Sequence, residues 1–194
     1  MDAISEDKTW PHDRAALRRS LLARRREWLA AHPGAPAQLA TQLLALLDQL
    51  EPITLGLYWP LEGEFNAAEF AQSNKLGAAM QLALPFAYRR GEGPPRMDYR
   101  LWRGEAPALK DECGIPSCAG PVLQPDVLLV PCLGHTREAF RMGYGGGYFD
   151  HWISAHPGVT TLGLAWSCGE AAFEVQPHDQ ALTLVLTEHE LIAP

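Results

Sequence analysis

An apolar run at residues 127–131, Val-Leu-Leu-Val-Pro, is followed by a glycine-rich segment at 141–150, Arg-Met-Gly-Tyr-Gly-Gly-Gly-Tyr-Phe-Asp. A buried strand that ends before a glycine turn opening a helix is the unit on which α/β proteins build ligand sites. Glycines at 143, 145, 146 and 147 carry no Cβ and allow positive φ, so successive N–H groups can converge on an anion at a helix N-terminus. Arg141 and Asp150 bracket the segment with opposite charges, the first suited to a phosphate and the second to a Mg²⁺ ion carrying one. Tyr144, Tyr148 and Phe149 are costly residues for a spacer and suit a planar ring. No Gly-Lys-Ser/Thr follows, which sets aside the Walker-loop kinases and GTPases.

Elsewhere the chain alternates. Amphipathic helices are expected over about 13–31 and 37–50, separated by the breaker Pro33-Gly34-Ala35-Pro36. Strands are expected near 53–59, 80–86, 97–102, 127–131, 160–165 and 182–186, with helices near 67–77 and 148–156. Residues 89–95 read as a solvent loop joining a hairpin, and the first dozen residues as loosely attached. This alternation predicts one α/β domain over residues 1–194, with a layered, mostly parallel, Rossmann-like open sheet flanked by helices.

Composition narrows the function classes. At 194 residues, 47% apolar and 20% charged, the chain can bury one substantial core and has no apolar run of membrane-spanning length. Its polar first dozen residues do not resemble a secretory signal, and its four cysteines include no Cys-x-x-Cys pair, so a cytoplasmic protein with reduced thiols is expected. A net charge of −7 argues against a general nucleic-acid binder. Positive charge is concentrated in the first helix, where Arg14, Arg18 and Arg25 project between flanks of Leu17, Leu21 and Trp28 and of Leu22 and Leu29. Arginines inside an apolar stripe need an anion, either a protein carboxylate or a bound phosphate.

Two further groups carry candidate chemistry. Tyr58, Trp59 and Pro60 end a strand-like run and Glu64 follows. That places aromatic faces beside a carboxylate able to accept two N–H bonds, unless the aromatics are core and Glu64 is a solvated charge. His178-Asp179 precedes the last long strand. His135, just past residues 127–131, is open either as a general base or as a structural residue.

The 141–150 segment resembles the signature of the 5-formyltetrahydrofolate cyclo-ligases, also called methenyltetrahydrofolate synthetases. The likeness extends through Arg14-Ala15-Ala16-Leu17-Arg18, Leu57-Tyr58-Trp59-Pro60 with Glu64, Leu84-Pro85, Gly114-Ile115-Pro116, Pro125-Asp126 and His178-Asp179. It implies a monomeric enzyme of the same fold class that uses ATP and Mg²⁺ to convert 5-formyltetrahydrofolate to 5,10-methenyltetrahydrofolate. By resemblance Arg14, Arg18 and Arg141, with the loop of Gly143, Tyr144, Gly145, Gly146 and Gly147, bind the nucleotide phosphates. Trp59, Glu64, Tyr148 and Phe149 bind the reduced folate, Asp150 and Asp179 hold Mg²⁺, and Arg141 and Tyr148 are the catalytic candidates.

Some positions depart from the pattern. Arg14 stands where the family usually has Lys, exchanging a point charge for a planar fork. Where the family commonly has Phe-Asp, then Gly three residues after the Asp, this chain has His135-Thr136 and Ala139, losing a carboxylate and a turn glycine. Two alternatives follow: a folate- or nucleotide-binding paralogue without turnover, or, from fold alone, an enzyme of the sugar-phosphate isomerase or acyl-CoA transferase type.

Overall fold

The structure is a computed structural model and describes residues 13–89 and 91–194. The expectation for the first dozen residues falls outside the described residues, as does Arg90 of the 89–95 loop. Helix α1 (Arg14–Ala31) is capped by Asp13, whose carboxylate accepts from the amides of Ala15 at 2.9 Å and Ala16 at 3.0 Å. Helix α2 (Ala35–Leu50) starts at Ala35 rather than at 37, because Pro36 falls within its first turn, where a missing N–H costs little. Its Leu39, Leu43 and Leu47 form one buried row.

The remaining elements are β1 (Thr54–Gly56), α3 (Ala67–Ser73), β2 (Gln81–Ala87), β3 (Met97–Trp102), β4 (Leu109–Lys110), β5 (Pro116–Ser117) and β6 (Val122–Leu123). They continue with β7 (Val127–Pro131), β8 (Gly134–His135), β9 (Arg141–Met142), α4 (Tyr148–Ala155), β10 (Thr160–Leu164), β11 (Leu184–Leu186) and β12 (Leu191–Ile192). Strand β1 is shorter than the expected 53–59, since Tyr58 and Trp59 lie past its end; helix α3 likewise stops at Ser73 and is followed by a separate 3₁₀ turn, Leu76–Ala78. The pairings β4 with β5 and β8 with β9 were not expected, because two-residue strands have no periodicity to read.

Eight strands form one sheet in the order β12-β11-β10-β7-β1-β2-β3-β6. The five central strands, β11 through β2, run parallel, and antiparallel strands occupy both edges. This is the expected mostly parallel sheet flanked by helices. Leu129 of β7 joins α2 and α3 in one apolar cluster, while its neighbours Leu128 and Val130 join Trp152 of α4 in a second. Period-two alternation thus serves two cores, which is why the strand reads as apolar throughout.

The connections diverge between β1 and β7: β1 is followed in space by β2, while β7 is followed by β10 and β11. Open α/β sheets bind ligands outside the strand carboxyl ends at such a switch point. Helix α1 lies over this end, with Leu21 packed on Leu133, Met142 and Phe173. A Cβ on Gly134 would stand 2.8 Å from Leu21, so the glycine admits the helix and brings its arginines to the site.

Candidate active site

A cavity of about 720 Å³ opens at the switch point. Tyr58 and Trp59 beyond β1, Pro85 and Ala87 of β2 and Pro131 of β7 lie in its wall. The 143–150 segment, Arg14 and Arg18 of α1, and the loop carrying Gln176, His178 and Asp179 supply the rest of one side. Every residue that the resemblance assigns to the site lines this cavity: Arg14, Arg18, Trp59, Glu64, Arg141, the loop from Gly143 to Gly147, Tyr148, Phe149, Asp150 and Asp179.

The arginines do not share one environment. Arg14 grips Asp179 with both Nη atoms, at 2.7 and 3.2 Å. Arg141 donates through Nη2 to Asp150 at 2.7 Å, its side chain only 5% exposed. Arg18 donates through Nε to the Gly143 carbonyl at 2.9 Å, and among the described residues it makes no ion pair. Burial and the like charge of Arg14 lower the Arg18 pKa, against a weaker pull from Asp179. Of the three arginines that line the cavity, Arg18 is therefore the one with no carboxylate partner among the described residues, and its charge is open to an external anion.

The loop conformation explains its glycines. Gly145 has φ +94°, and a Cβ there would meet the Arg18 guanidinium at 3.3 Å. Gly147 has φ +70° and is the N-cap of α4. Side chains at either position would strain the backbone, and at 145 would also crowd Arg18. The loop thus ends at the positive pole of α4, with Asp150 in that helix's first turn.

Glu64 forms the polar part of the opposing chemistry. Its Oε2 accepts from the Leu61 amide at 2.7 Å, while buried Oε1 has no donor in hydrogen-bond geometry among the described residues. Burial pushes the Glu64 carboxyl up, opposed by the Leu61 amide, the adjoining Tyr144 hydroxyl, Arg25 and Arg141. Trp59 and Phe149 pack against the core with part of each ring left to the cavity wall. Tyr148 donates to the Tyr88 carbonyl at 2.9 Å and lies 3.1 Å from Cys113 Sγ, which ties the glycine loop's end to the β4–β5 hairpin.

The two histidines separate. His178 lines the cavity with an exposed side chain. His135 is 1% exposed, its pKa lowered by burial, and it is absent from the cavity wall, consistent with the structural reading. The departures around it preserve a turn. Thr136 Oγ1 accepts from the Glu138 amide at 3.2 Å, as a carboxylate would in an Asx-turn, and Ala139 takes φ +57° where a glycine would be unstrained. None of residues 135–139 lines the cavity.

Sequence reasoning missed the wall formed by Asp111, Cys113 and Ile115. Asp111 accepts from the amides of Ala87, Cys113 and Ile115 and so shapes the hairpin, a role with no local motif. Arg25 was noted for its place in the apolar stripe, but not as part of a site.

The donor set for a divalent cation consists of carboxylates alone. Among the described residues no group of three or more His, Cys, Asp or Glu side chains is placed to hold a metal. Asp150 has one oxygen on Arg141, whereas both oxygens of Asp179 are engaged, by Arg14 and by the Gln176 amide. Asp150 suits Mg²⁺ shared with phosphate oxygens and water; Asp179 would first have to loosen Arg14.

A 5-formyltetrahydrofolate cyclo-ligase of Mycoplasma pneumoniae is 29% identical over 66 residues, a stretch that is 34% of this chain and 40% of that relative's length. Two solved structures share the fold. The 5,10-methenyltetrahydrofolate synthetase of M. pneumoniae superposes with a TM-score of 0.70 at 19% identity, covering 91% of this chain and 99% of that one. The Aquifex aeolicus 5,10-methenyltetrahydrofolate synthetase gives 0.73 at 21% identity, covering 93% and 92%. The model of the 5-formyltetrahydrofolate cyclo-ligase family matches residues 11–188, and with the signature segment lining the switch-point cavity, the chain belongs to that family.

Proposed function

We propose that this chain closes the ring of 5-formyltetrahydrofolate to 5,10-methenyltetrahydrofolate, consuming ATP with Mg²⁺ and releasing ADP and phosphate. The observation that carries this reading is the meeting of Arg14, Arg18, Arg141 and the glycine loop with Glu64 and the aromatic side chains in one cavity. A phosphate end and a planar, N–H-bearing end are thereby provided for two ligands that must react with each other.

The chemistry demands both ends. The N5-formyl carbon carries an amide-like oxygen, which cannot leave as oxide. Transfer of the ATP γ-phosphoryl group to that oxygen turns it into a phosphate ester; N10 then attacks the carbon, loses its proton, and phosphate departs with the C–O electron pair. Phosphoryl transfer asks the protein for positioning and charge neutralisation rather than covalent help. In this reading Arg18 and Arg141 hold phosphate oxygens, Arg14 is steadied by Asp179, and the Gly143–Gly147 backbone amides complete the cradle. Mg²⁺ held at Asp150 would offset phosphate charge. Glu64 accepts N–H bonds from the pteridine edge, Trp59 and Phe149 flank the ring, and Tyr148 stands at the reacting end.

The test is the absorbance of the methenyl product on mixing protein, 5-formyltetrahydrofolate and Mg²⁺ with and without ATP. Growth of the band only with ATP is expected. A flat trace from folded protein that binds the folate would replace this function with a non-catalytic binding role.

A further inference from the structure

Arg25 is 3% exposed, yet among the described residues it forms no ion pair and does not line the cavity. Its Nη2 donates to the Glu62 carbonyl at 2.6 Å and to the Tyr144 hydroxyl at 2.8 Å, while Nη1 is buried with no hydrogen-bond partner among the described residues. A guanidinium has donors only, so the Tyr144 oxygen is the acceptor in that bond, and the hydroxyl proton must point elsewhere. The Glu64 carboxylate adjoins this hydroxyl, and its buried Oε1 has no donor in hydrogen-bond geometry among the described residues, so it is the acceptor left for that proton. Backbone geometry reinforces the arrangement, since Gly63, with φ +74°, leaves the room beside Arg25 Nε that a side chain would take.

We propose that Arg25 is a positioning residue: by holding the Tyr144 oxygen it aims the hydroxyl proton at Glu64 and sets the orientation in which that carboxylate meets the folate. The proposal rests on the folate reading of Glu64 given above. It explains why a buried cation lacks a direct carboxylate partner: its charge is felt by Glu64 through one intervening hydroxyl. The groups that act on Glu64 are Arg25 and Arg141 as cations, the Leu61 amide and the Tyr144 hydroxyl; its own charge, after burial, helps to keep Tyr58 and Cys132 un-ionised. Arg141 reaches Glu64 independently, so loss of Arg25 should weaken the site without abolishing it.

The test compares wild type with Arg25→Met and Arg25→Lys, using KM for each substrate and the ¹³C NMR titration of the Glu64 carboxyl. In Arg25→Met the folate KM should rise about tenfold, worth about 1.4 kcal/mol, with the ATP KM within about twofold of wild type. The Glu64 carboxyl should titrate at higher pH, and Arg25→Lys should recover part of both effects. A folded Arg25→Met with unchanged folate KM, unchanged Glu64 titration, or both KM values raised alike overturns the proposal. Should Arg25→Met not fold, Tyr144→Phe removes the intervening hydroxyl and must show the same folate-side defect; wild-type behaviour there overturns it equally. If wild type shows no turnover, the proposed function falls, and the Glu64 titration alone upholds or overturns the Arg25 relay.

Discussion

Arg14 and Asp179, 165 positions apart in sequence, meet as a two-pronged ion pair, Nη1 to Oδ2 at 2.7 Å and Nη2 to Oδ1 at 3.2 Å. The pair ties the first helix to the loop before β11 and closes one wall of the cavity. It also engages both Asp179 oxygens with the Arg14 guanidinium, whereas the sequence resemblance gives that carboxylate to Mg²⁺.

Asp179→Asn should therefore raise the ATP KM about tenfold while leaving the Mg²⁺ concentration needed for half-maximal rate nearly unchanged. Asp150→Asn should do the reverse. Steady-state titrations of ATP and of Mg²⁺ distinguish them, and a Mg²⁺ defect in Asp179→Asn as large as that in Asp150→Asn would return Asp179 to the metal.

The same pair predicts acid sensitivity. Burial raises the Asp179 carboxyl, but the Arg14 hydrogen bonds, the Gln176 amide and His178 outweigh it and hold the group below its ordinary value. A carboxylate with a depressed folded-state pKa contributes stability above its unfolded pKa, about 4, and loses that contribution as pH falls through the folded value. Melting temperatures of wild type and Asp179→Asn should differ at pH 7 and converge as the pH is taken well below 4.

Glu64 behaves in the opposite sense. Its folded-state pKa is raised, chiefly by burial. Stability is then greatest below the unfolded pKa and declines as pH rises through the interval up to the folded one. Glu64→Gln should melt higher than wild type at pH 7 to 8 and no higher near pH 4, yet lose folate affinity by tenfold or more, on the order of 1.4 kcal/mol. A variant that is less stable at pH 8 would contradict the buried-charge account.

Arg141→Ala should lose turnover by about a thousandfold or more, as expected for an arginine that neutralises charge in phosphoryl transfer. The fold should persist, because Asp150 keeps the favourable N-terminal end of α4 when its partner is removed. Near-normal kcat in a folded Arg141→Ala would remove Arg141 from the chemistry.

Ala139→Gly tests whether the departures at 135–139 matter to activity. The change relieves a left-handed alanine, worth about 1 kcal/mol, but gives up a fully buried methyl worth roughly 0.8 kcal/mol and adds chain entropy to the unfolded state. Denaturation should show a difference within about 1 kcal/mol and turnover should be unchanged. A large rise in turnover would mean that the turn, although outside the cavity, had been limiting it.

The local sequence alone was enough for the parts whose physics is local. Residues 127–131 are apolar without interruption because both faces of β7 are covered, and that reading needs no partner. The 143–147 segment announces a backbone bend through its glycines, and positive φ at Gly145 and Gly147 follows from the same chemistry. Helix α1 was legible from the spacing of Leu17, Leu21 and Trp28, as was the need of its arginines for anions. Which anion each would find was not legible. Arg14 takes Asp179, Arg18 takes a backbone carbonyl, and Arg25 takes the Tyr144 hydroxyl, although all three lie on one helix face. Those choices, like the entry of the Cys113 hairpin into the cavity wall, depend on contacts between segments far apart in the chain. Sequence spacing sets what each side chain requires; only the packing of α1, the glycine loop and the 176–179 loop over the β1–β7 switch point decides what satisfies it.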